Sequence, residues 1–311
     1  MTMSGLEMTL PVLLVLIIGI VLRKTNMISR DGIGTLKNIA VNVTLPAVVL
    51  RAFATTTFTL KNILIPLAMF AVCVAAYFLG KLAAKLFKMP SPFVPFLTTG
   101  FEAGMLGYTF YEMLYGAEMV SGFAIVDLGQ ALFVFTMFKL MLSHMNDAKG
   151  GMNAKIVFLE MVRSPIMIAI AVGILLGATG LYKAMQAAGV SGLLDAAAQF
   201  VAAPTSVLIL LVIGYDLSFK GIRWGAVSKI MLVRLGVMML MMFPVIWLFE
   251  RFLQIGPEVK NALYLMFFLP PPFVIPAFAD DEKERGTVAS VLSLYTLISI
   301  AAFFVLCLAV K

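Results

Sequence analysis

Histidine occurs once in this chain and cysteine twice, and charged residues fill only 13% of its 311 positions. Each shortage excludes something. A soluble domain carries about 25% charged residues, so an ordinary soluble globular fold is excluded. Cys73 and Cys307 both lie inside apolar stretches, where buried thiols are expected in place of a disulfide or a metal pair. The lone His144 sits in a polar stretch and is read as solvated. That leaves no histidine in the apolar runs for a metal centre or a proton relay. Neither a GxSxG nor an HExxH pattern occurs, so the common hydrolase signatures are missing. No basic residue precedes the first apolar run, only Glu7, while Arg23 and Lys24 follow it. A cleaved signal peptide has the reverse charge order, so a retained first span is expected.

Apolar residues are abundant instead, at 62%, with a mean hydropathy of +1.03. Apolar runs of about 17–25 residues suit a helix crossing a hydrocarbon core of about 30 Å. Ten are expected, at 4–22, 34–54, 62–80, 93–115 and 118–142, then 157–179, 190–214, 225–249, 259–279 and 287–310. The fold class is therefore an all-α polytopic membrane protein with ten transmembrane helices, in the cell (inner or plasma) membrane. The longest polar stretch, Ser143 to Lys155, separates two groups of five. It divides the chain into a first five-helix repeat (1–142), a cytoplasmic linker (143–156) and a second repeat (157–311). The net charge of +7 is spread over the connecting stretches, so it is read as topology and not as a nucleic-acid footprint. Arg23, Lys24, Arg30, Lys37, Lys81, Lys85, Lys88, Lys139, Lys149, Lys155, Arg163, Lys220, Arg223, Lys229, Lys283 and Arg285 fall on one set of alternating connections. Positive residues stay cytoplasmic, which puts both termini outside.

The halves resemble each other. Pro11 to Gly19 and Pro165 to Gly173 share one spacing, and Pro46 and Pro204 are each followed by short apolar runs in the second span of their group. Because each group has an odd number of spans, equivalent spans run in opposite directions, an inverted repeat.

The fourth span of each group is interrupted. The stretch Thr98–Gly116 holds Gly100, Gly104, Gly107 and the carboxylate Glu102, and Phe267–Ala279 holds Pro270, Pro271, Pro272 and Pro276. Prolines remove donors and bias their predecessors to extended backbone. Two interrupted spans in corresponding positions point to a transporter binding site, where half-helix N-termini present unpaired N–H groups to an anion. Asp127 reaches a depth similar to that of Glu102, and Gln130 lies on the face of Asp127. Thr98 and Thr99 add hydroxyls one turn from Glu102. Either these acids form a Na⁺ or proton site, or they are structural carboxylates held by hydrogen bonds. Asn38 and Asn42 either line a cavity or bond a neighbouring helix, and Tyr108 is either a packing residue or a substrate contact.

Several of these motifs are similar to those of the auxin efflux carrier family. Asn42-Val-Thr-Leu-Pro-Ala resembles its Asn-containing Leu-Pro-Ala motif, and Gly104-Met-Leu-Gly107-Tyr with the later Tyr-Gly116 resembles its span 4. Asp127-Leu-Gly-Gln130 is similar to span 5 of bacterial members, Pro271-Pro272 to the Met-Pro-Pro region of span 9, and Leu294-Tyr-Thr-Leu-Ile-Ser to span 10. The resemblance implies crossing broken helices, a scaffold of spans 1, 2, 6 and 7, a transport domain of spans 3–5 and 8–10, elevator-type movement and a homodimer through the scaffold. It also implies export or uptake of small organic anions, with malate- or malonate-like carboxylates as the substrate class and a bacterial-type short central loop. Substrate contacts are then expected at Asn42, Gly104, Gly107, Tyr108, Gln130, Pro271 and Pro272, and ion coupling at Thr98, Glu102 and Asp127. Many members of the family have Asn where Glu102 stands; the extra charge favours coupling to Na⁺ (held by Glu102 and Asp127) or H⁺ over a potential-driven uniport. No other cofactor is expected, and no enzymatic activity. The rival readings are an intramembrane enzyme using Glu102 and Asp127 as a carboxylate pair, and a receptor of the same fold that moves nothing.

The charge bias yields a test. A cysteine introduced as Gly150→Cys is expected to react in intact cells only with membrane-permeant thiol reagents. Labelling of that variant by an impermeant reagent from outside would reverse the topology.

Overall fold

The structure, a computed structural model, describes residues 5–56, 58–145, 153–217 and 222–309. Most of the expected linker (146–152), the chain ends with Lys311, and Lys220 lie outside the described residues, as do the side chains of Glu7 and Lys61. All regular elements among the described residues are helical. In chain order these are α1 (Gly5–Lys24), α2 (Arg30–Ile39), α3 (Leu45–Ala54), α4 (Leu60–Leu86), α5 (Val94–Leu97), α6 (Tyr108–Tyr115), α7 (Val120–Phe133) and α8 (Lys139–Ser143). There follow α9 (Ala154–Arg163), α10 (Pro165–Ala178), α11 (Leu181–Ala187), α12 (Ser191–Ala202), α13 (Thr205–Asp216), α14 (Trp224–Leu248), α15 (Pro257–Phe268) and α16 (Glu282–Ala309). Where no water is at hand to bond the backbone, a helix satisfies each N–H and C=O internally, which is why uninterrupted apolar runs take this form.

Among the described residues, six helical segments are long and apolar enough to cross a membrane: 30–54, 62–86, 117–143, 191–216, 224–253 and 282–308. The pair α9 and α10, bent by 66°, passes the same test when taken together. The outer surface agrees with that reading, since Phe200 is 84% and Leu193 79% exposed; apolar exposure on this scale marks a surface that meets lipid or protein. The chain is a membrane protein.

Each departure from a straight span has a local cause. The run 157–179, expected as one helix, splits because Ser164 precedes Pro165, and the pre-proline residue is pushed out of the helical region to ψ 126°. Pro46 cannot donate, and the chain absorbs the missing bond in a π-helical turn at Ala40–Thr44, where the Leu45 N–H reaches Ala40 O. Pro204 similarly separates α12 from α13.

Close helix contacts are made by glycine. α1 lies along α13, and a Cβ at Gly19 would stand 2.4 Å from the Leu211 carbonyl oxygen; one at Gly214 would stand 2.3 Å from that of Leu16. α10 lies along α3 in the same way, with Gly173 and Gly177 against the backbone of Leu50 and Phe53. α4 meets α7 where Gly129 faces Pro66, its Cβ position 2.0 Å from the proline oxygen. Contacts of this kind let backbones approach and gain dispersion contacts that larger side chains would prevent. Gly19→Val is therefore expected to lower the thermal stability of the detergent-solubilised protein by about 1–3 kcal/mol through overpacking. Gly34→Val, with no heavy atom within 4 Å of the added Cβ, serves as the comparison, and equal melting of the two variants would show that α1 and α13 separate without cost.

Candidate functional site

The two interrupted stretches meet. After the single turn of α5 the chain leaves the helix, Gly100 takes φ +65°, and a π-helical turn at Ala103–Gly107 leads into α6. Only glycine fits at 100 for two reasons: the left-handed backbone, and the ring of Pro272 2.8 Å from where a Cβ would stand. In the other stretch α15 ends at Phe268, Leu269 is extended at ψ 150°, and Pro270, Pro271 and Pro272 carry the chain to a 3₁₀ turn at Ile275–Phe278. The helix beyond this break is a single turn of four residues, too short to sum a macrodipole. The expected positive helix end on this side is thus reduced to individual N–H groups.

Those N–H groups already have an acceptor. The Glu102 carboxylate accepts from the Phe273 N–H at 2.7 Å and from the Met105 N–H at 3.3 Å. The Glu102 N–H in turn donates to Pro270 O at 2.8 Å. Backbone and side chain of one residue therefore tie the two breaks together. Gln130 on α7 completes the joint like a neighbouring strand: the Phe101 N–H donates to its Oε1 at 3.3 Å, and its Nε2 donates to Phe101 O at 3.0 Å and to Asp127 Oδ1 at 3.1 Å. Asp127 also faces the Tyr108 hydroxyl. No group of three or more His, Cys, Asp or Glu side chains is gathered for a metal among the described residues.

The remaining carbonyls converge on Arg234, a residue of α14 that is 0% exposed. Its guanidinium donates to Leu97 O at 2.9 Å, Gly100 O at 3.0 Å and Leu269 O at 2.8 Å. Its charged plane lies 4.8 Å from the Tyr295 ring centre and 5.7 Å from that of Phe101, within cation–π range. Among the described residues it forms no ion pair with a carboxylate. Sequence reasoning passed over this arginine. The signal was present: it is a charged residue about ten positions inside an apolar run, the same criterion that singled out Glu102.

The other expected site residues are distributed unevenly. Thr98 and Thr99 are fully buried and donate to Pro95 O at 3.0 Å and Cys73 O at 2.5 Å, so their hydroxyls serve the backbone. Gly107 is a packing glycine, its Cβ position 2.3 Å from Phe123, and Tyr108 stacks edge-on with that ring at 4.9 Å. Pro271 and Pro272 are buried in the joint. Gly104 is partly open, facing Leu45 at 3.5 Å. Asn42, with Asn38, is exposed.

Two cavities flank the joint, both between it and the spans formed by α2–α3 and α12–α13. One, about 300 Å³, is lined by Lys37, Asp216, Met105, Phe273 and Thr296 among others. The other, about 360 Å³, is lined by Arg51, Glu112, Glu118, Gln199 and Ser206 among others. Lys37 and Arg51 are about 21 Å apart along their span at 1.5 Å per residue, so the cavities lie toward opposite ends of the bundle. Neither is lined by Asn42, Gly104, Gly107, Tyr108, Gln130, Pro271 or Pro272.

Arg234→Lys keeps the charge but replaces a planar fork by one ammonium that cannot serve three separated carbonyls. It is expected to cost about 1.5–3 kcal/mol, the worth of one charge-assisted bond, and Arg234→Met more. Thermal unfolding would rank the variants, and hydrogen exchange should speed up at 97–106 and 269–274. Wild-type stability and protection in Arg234→Met would show that the joint closes without it. A scan of protein-family models finds no match to this chain, and a search of curated proteins finds none.

Proposed function

We propose that this chain is a secondary active transporter that moves a small organic anion across the membrane by elevator-type alternating access, with proton binding at Glu102 and Asp127 coupled to transport. The observation that carries the reading is the joint itself: two interrupted spans bonded to each other, with a cavity on either side against the same pair of spans. A unit of this kind, sliding against those spans, would close one cavity as it opens the other. The paired glycine contacts support ten spans in two inverted repeats, since Gly19 and Gly173, equivalent in the repeat, each press on the second span of the other half. The ordered motifs that resemble the auxin efflux carrier family support the same fold and substrate class.

Glu102 adjusts the expected binding mode. Its carboxylate occupies the N–H groups that a substrate carboxylate would use, so in this state the substrate belongs beside it, in the Lys37 cavity. A volume of about 300 Å³ is at the small end of ligand pockets and suits an acid of a few carbons. Protonation of Glu102 would weaken its hold on the Phe273 N–H and release that donor to the substrate. Proton and anion then favour each other's binding, and by linkage the effect is reciprocal. Arg234 already fills the break carbonyls that a Na⁺ would seek, which favours the proton as coupling ion.

Proteoliposome uptake of a panel of small carboxylates, with pH and Na⁺ gradients imposed separately, tests this. Glu102→Gln should bind substrate yet lose the pH dependence, and Lys37→Gln should weaken binding about tenfold or more, the worth of a charge-assisted bond. Unchanged pH and Na⁺ dependence in Glu102→Gln would make Glu102 a structural carboxylate. Chemical conversion without flux would overturn transport altogether.

A further inference from the structure

Where the C-terminal end of α4 meets the N-terminal end of α14, a basic pocket runs into an apolar groove. The pocket, about 340 Å³, is lined by Lys88, Arg223, Lys229 and Lys283, with Glu284 as the one acid in its lining. That carboxylate is engaged by the Ser91 hydroxyl at 2.5 Å. The groove, about 530 Å³, shares Lys229 and Met89 with the pocket and continues along Leu232, Gly236 and Leu240 against Phe87. Lys229, Leu232, Gly236 and Leu240 recur at helical spacing and form one stripe of α14 about 16 Å long, close to half the hydrocarbon thickness. Gly236 notches the stripe, with nothing within 4 Å of its Cβ position. Leu232, Leu240 and Phe87 are 69%, 66% and 63% exposed, so the groove opens to the bundle's outer surface.

Lys88 adds a second observation. It holds φ +48° at the end of α4, where the Met89 N–H reaches back to Ala84 O at 2.9 Å. Glycine or asparagine is usual at this left-handed position, and strain kept in a backbone points to a use for the side chain. Here the side chain supplies a cation at the rim of the basic pocket.

We propose that this is a binding site for an anionic phospholipid, its phosphate held by Lys88, Arg223, Lys229 and Lys283 and one acyl chain lying in the groove past Gly236. Neither half suffices for the other ligand classes. A soluble phosphate has no use for the groove, and a zwitterionic lipid gains little from four cations. Basic pockets between membrane helices do recruit anionic head groups.

The experiment is native mass spectrometry of the full chain in non-ionic detergent, supplied with phosphatidylglycerol or with phosphatidylcholine of the same acyl chains. The wild type is expected to retain phosphatidylglycerol about tenfold or more over phosphatidylcholine. Removing two cations, as Lys88→Gly with Lys229→Gln, should lower that retention about 30-fold, at about fivefold per charge near a membrane surface. Lys88→Gly alone should also raise the melting temperature, because glycine relieves the left-handed strain, so loss of lipid cannot be ascribed to unfolding. Gly236→Phe should reduce retention with all four cations intact, and Lys81→Gln with Lys85→Gln, which remove charges outside the pocket, should leave it unchanged. Equal retention in the Lys88/Lys229 variant, or an equal loss in the Lys81/Lys85 variant, would overturn the site. Full displacement of phosphatidylglycerol by inorganic phosphate at equal concentration would assign the pocket to a soluble anion and overturn the lipid.

Discussion

A break in a membrane helix strands backbone carbonyls where no water can reach them, and in this protein one guanidinium answers for both breaks. Arg234 spans Leu97 and Gly100 on one side and Leu269 on the other. Each carbonyl left bare would cost about 1–3 kcal/mol, and the broken geometry at Gly100 and Pro270–Pro272 would then compete poorly with a rearranged one. The arginine gains in return. Carbonyl dipoles and the faces of Tyr295 and Phe101 replace the hydration that a buried charge loses, so it needs no carboxylate partner. Among basic side chains only the fork of arginine offers enough donors in one plane for carbonyls from two chain segments.

Glu102 repeats this logic with the opposite sign. Arg234 gathers stranded acceptors; Glu102 gathers stranded donors, the N–H groups of Phe273 and Met105. A cation and an anion therefore sit on either side of the crossing, each bonded to backbone and not to the other. The two differ in one respect. Arginine does not release its proton in proteins, whereas a carboxylate can take one up, so of the two clasps only the Glu102 one can be opened by a proton. In the transport reading that asymmetry, more than the presence of a second acid at Asp127, points to Glu102 as the coupling residue.

Much of the frame was legible in the chain itself. Apolar run length anticipated the six helical segments long enough to cross a membrane, and glycine and proline content located both interruptions, because the backbone rules for these residues act locally. The bend at Ser164 was legible in principle from Pro165, by the same rule that identified Pro270–Pro272. What local rules could not give was which partner each polar group takes. The Thr98 and Thr99 hydroxyls, expected beside Glu102, donate to the Pro95 and Cys73 carbonyls; Asn42, expected to line a cavity or bond a neighbouring helix, is exposed. Half-helix dipoles are expected on both sides, but after Pro272 the chain makes only the four-residue turn Ile275–Phe278, with Pro276 in its first turn, and becomes extended at Ala279. Arg234 escapes the positive-inside rule, which reads basic residues as loop markers, and is legible only by depth, where a basic residue inside an apolar run marks a site.

The packing around the joint sets where movement is possible. Gly129 against Pro66, Gly122 against Glu258 and Gly107 against Phe123 and Leu269 leave no room between α4, α7, α15 and the crossing. Gly19 against Leu211 and Gly173 against Leu50 close the contacts of α1 with α13 and α10 with α3 just as tightly. Where the joint faces the spans formed by α2–α3 and α12–α13, Gly104 stands at ordinary van der Waals distance from Leu45, and cavities of about 300 and 360 Å³ lie on either side. Close-packed interfaces resist sliding because every interdigitated side chain must clear its neighbour, so displacement is cheapest along the surface that has the fewest such contacts. In the transport reading that surface runs beside Lys37 and Asp216 at one end and beside Arg51, Glu112 and Glu118 at the other, so each exit sets a cation among carboxylates. In that reading the joint moves as one piece, because the hydrogen bonds of Arg234, Gln130 and Glu102 lie within it.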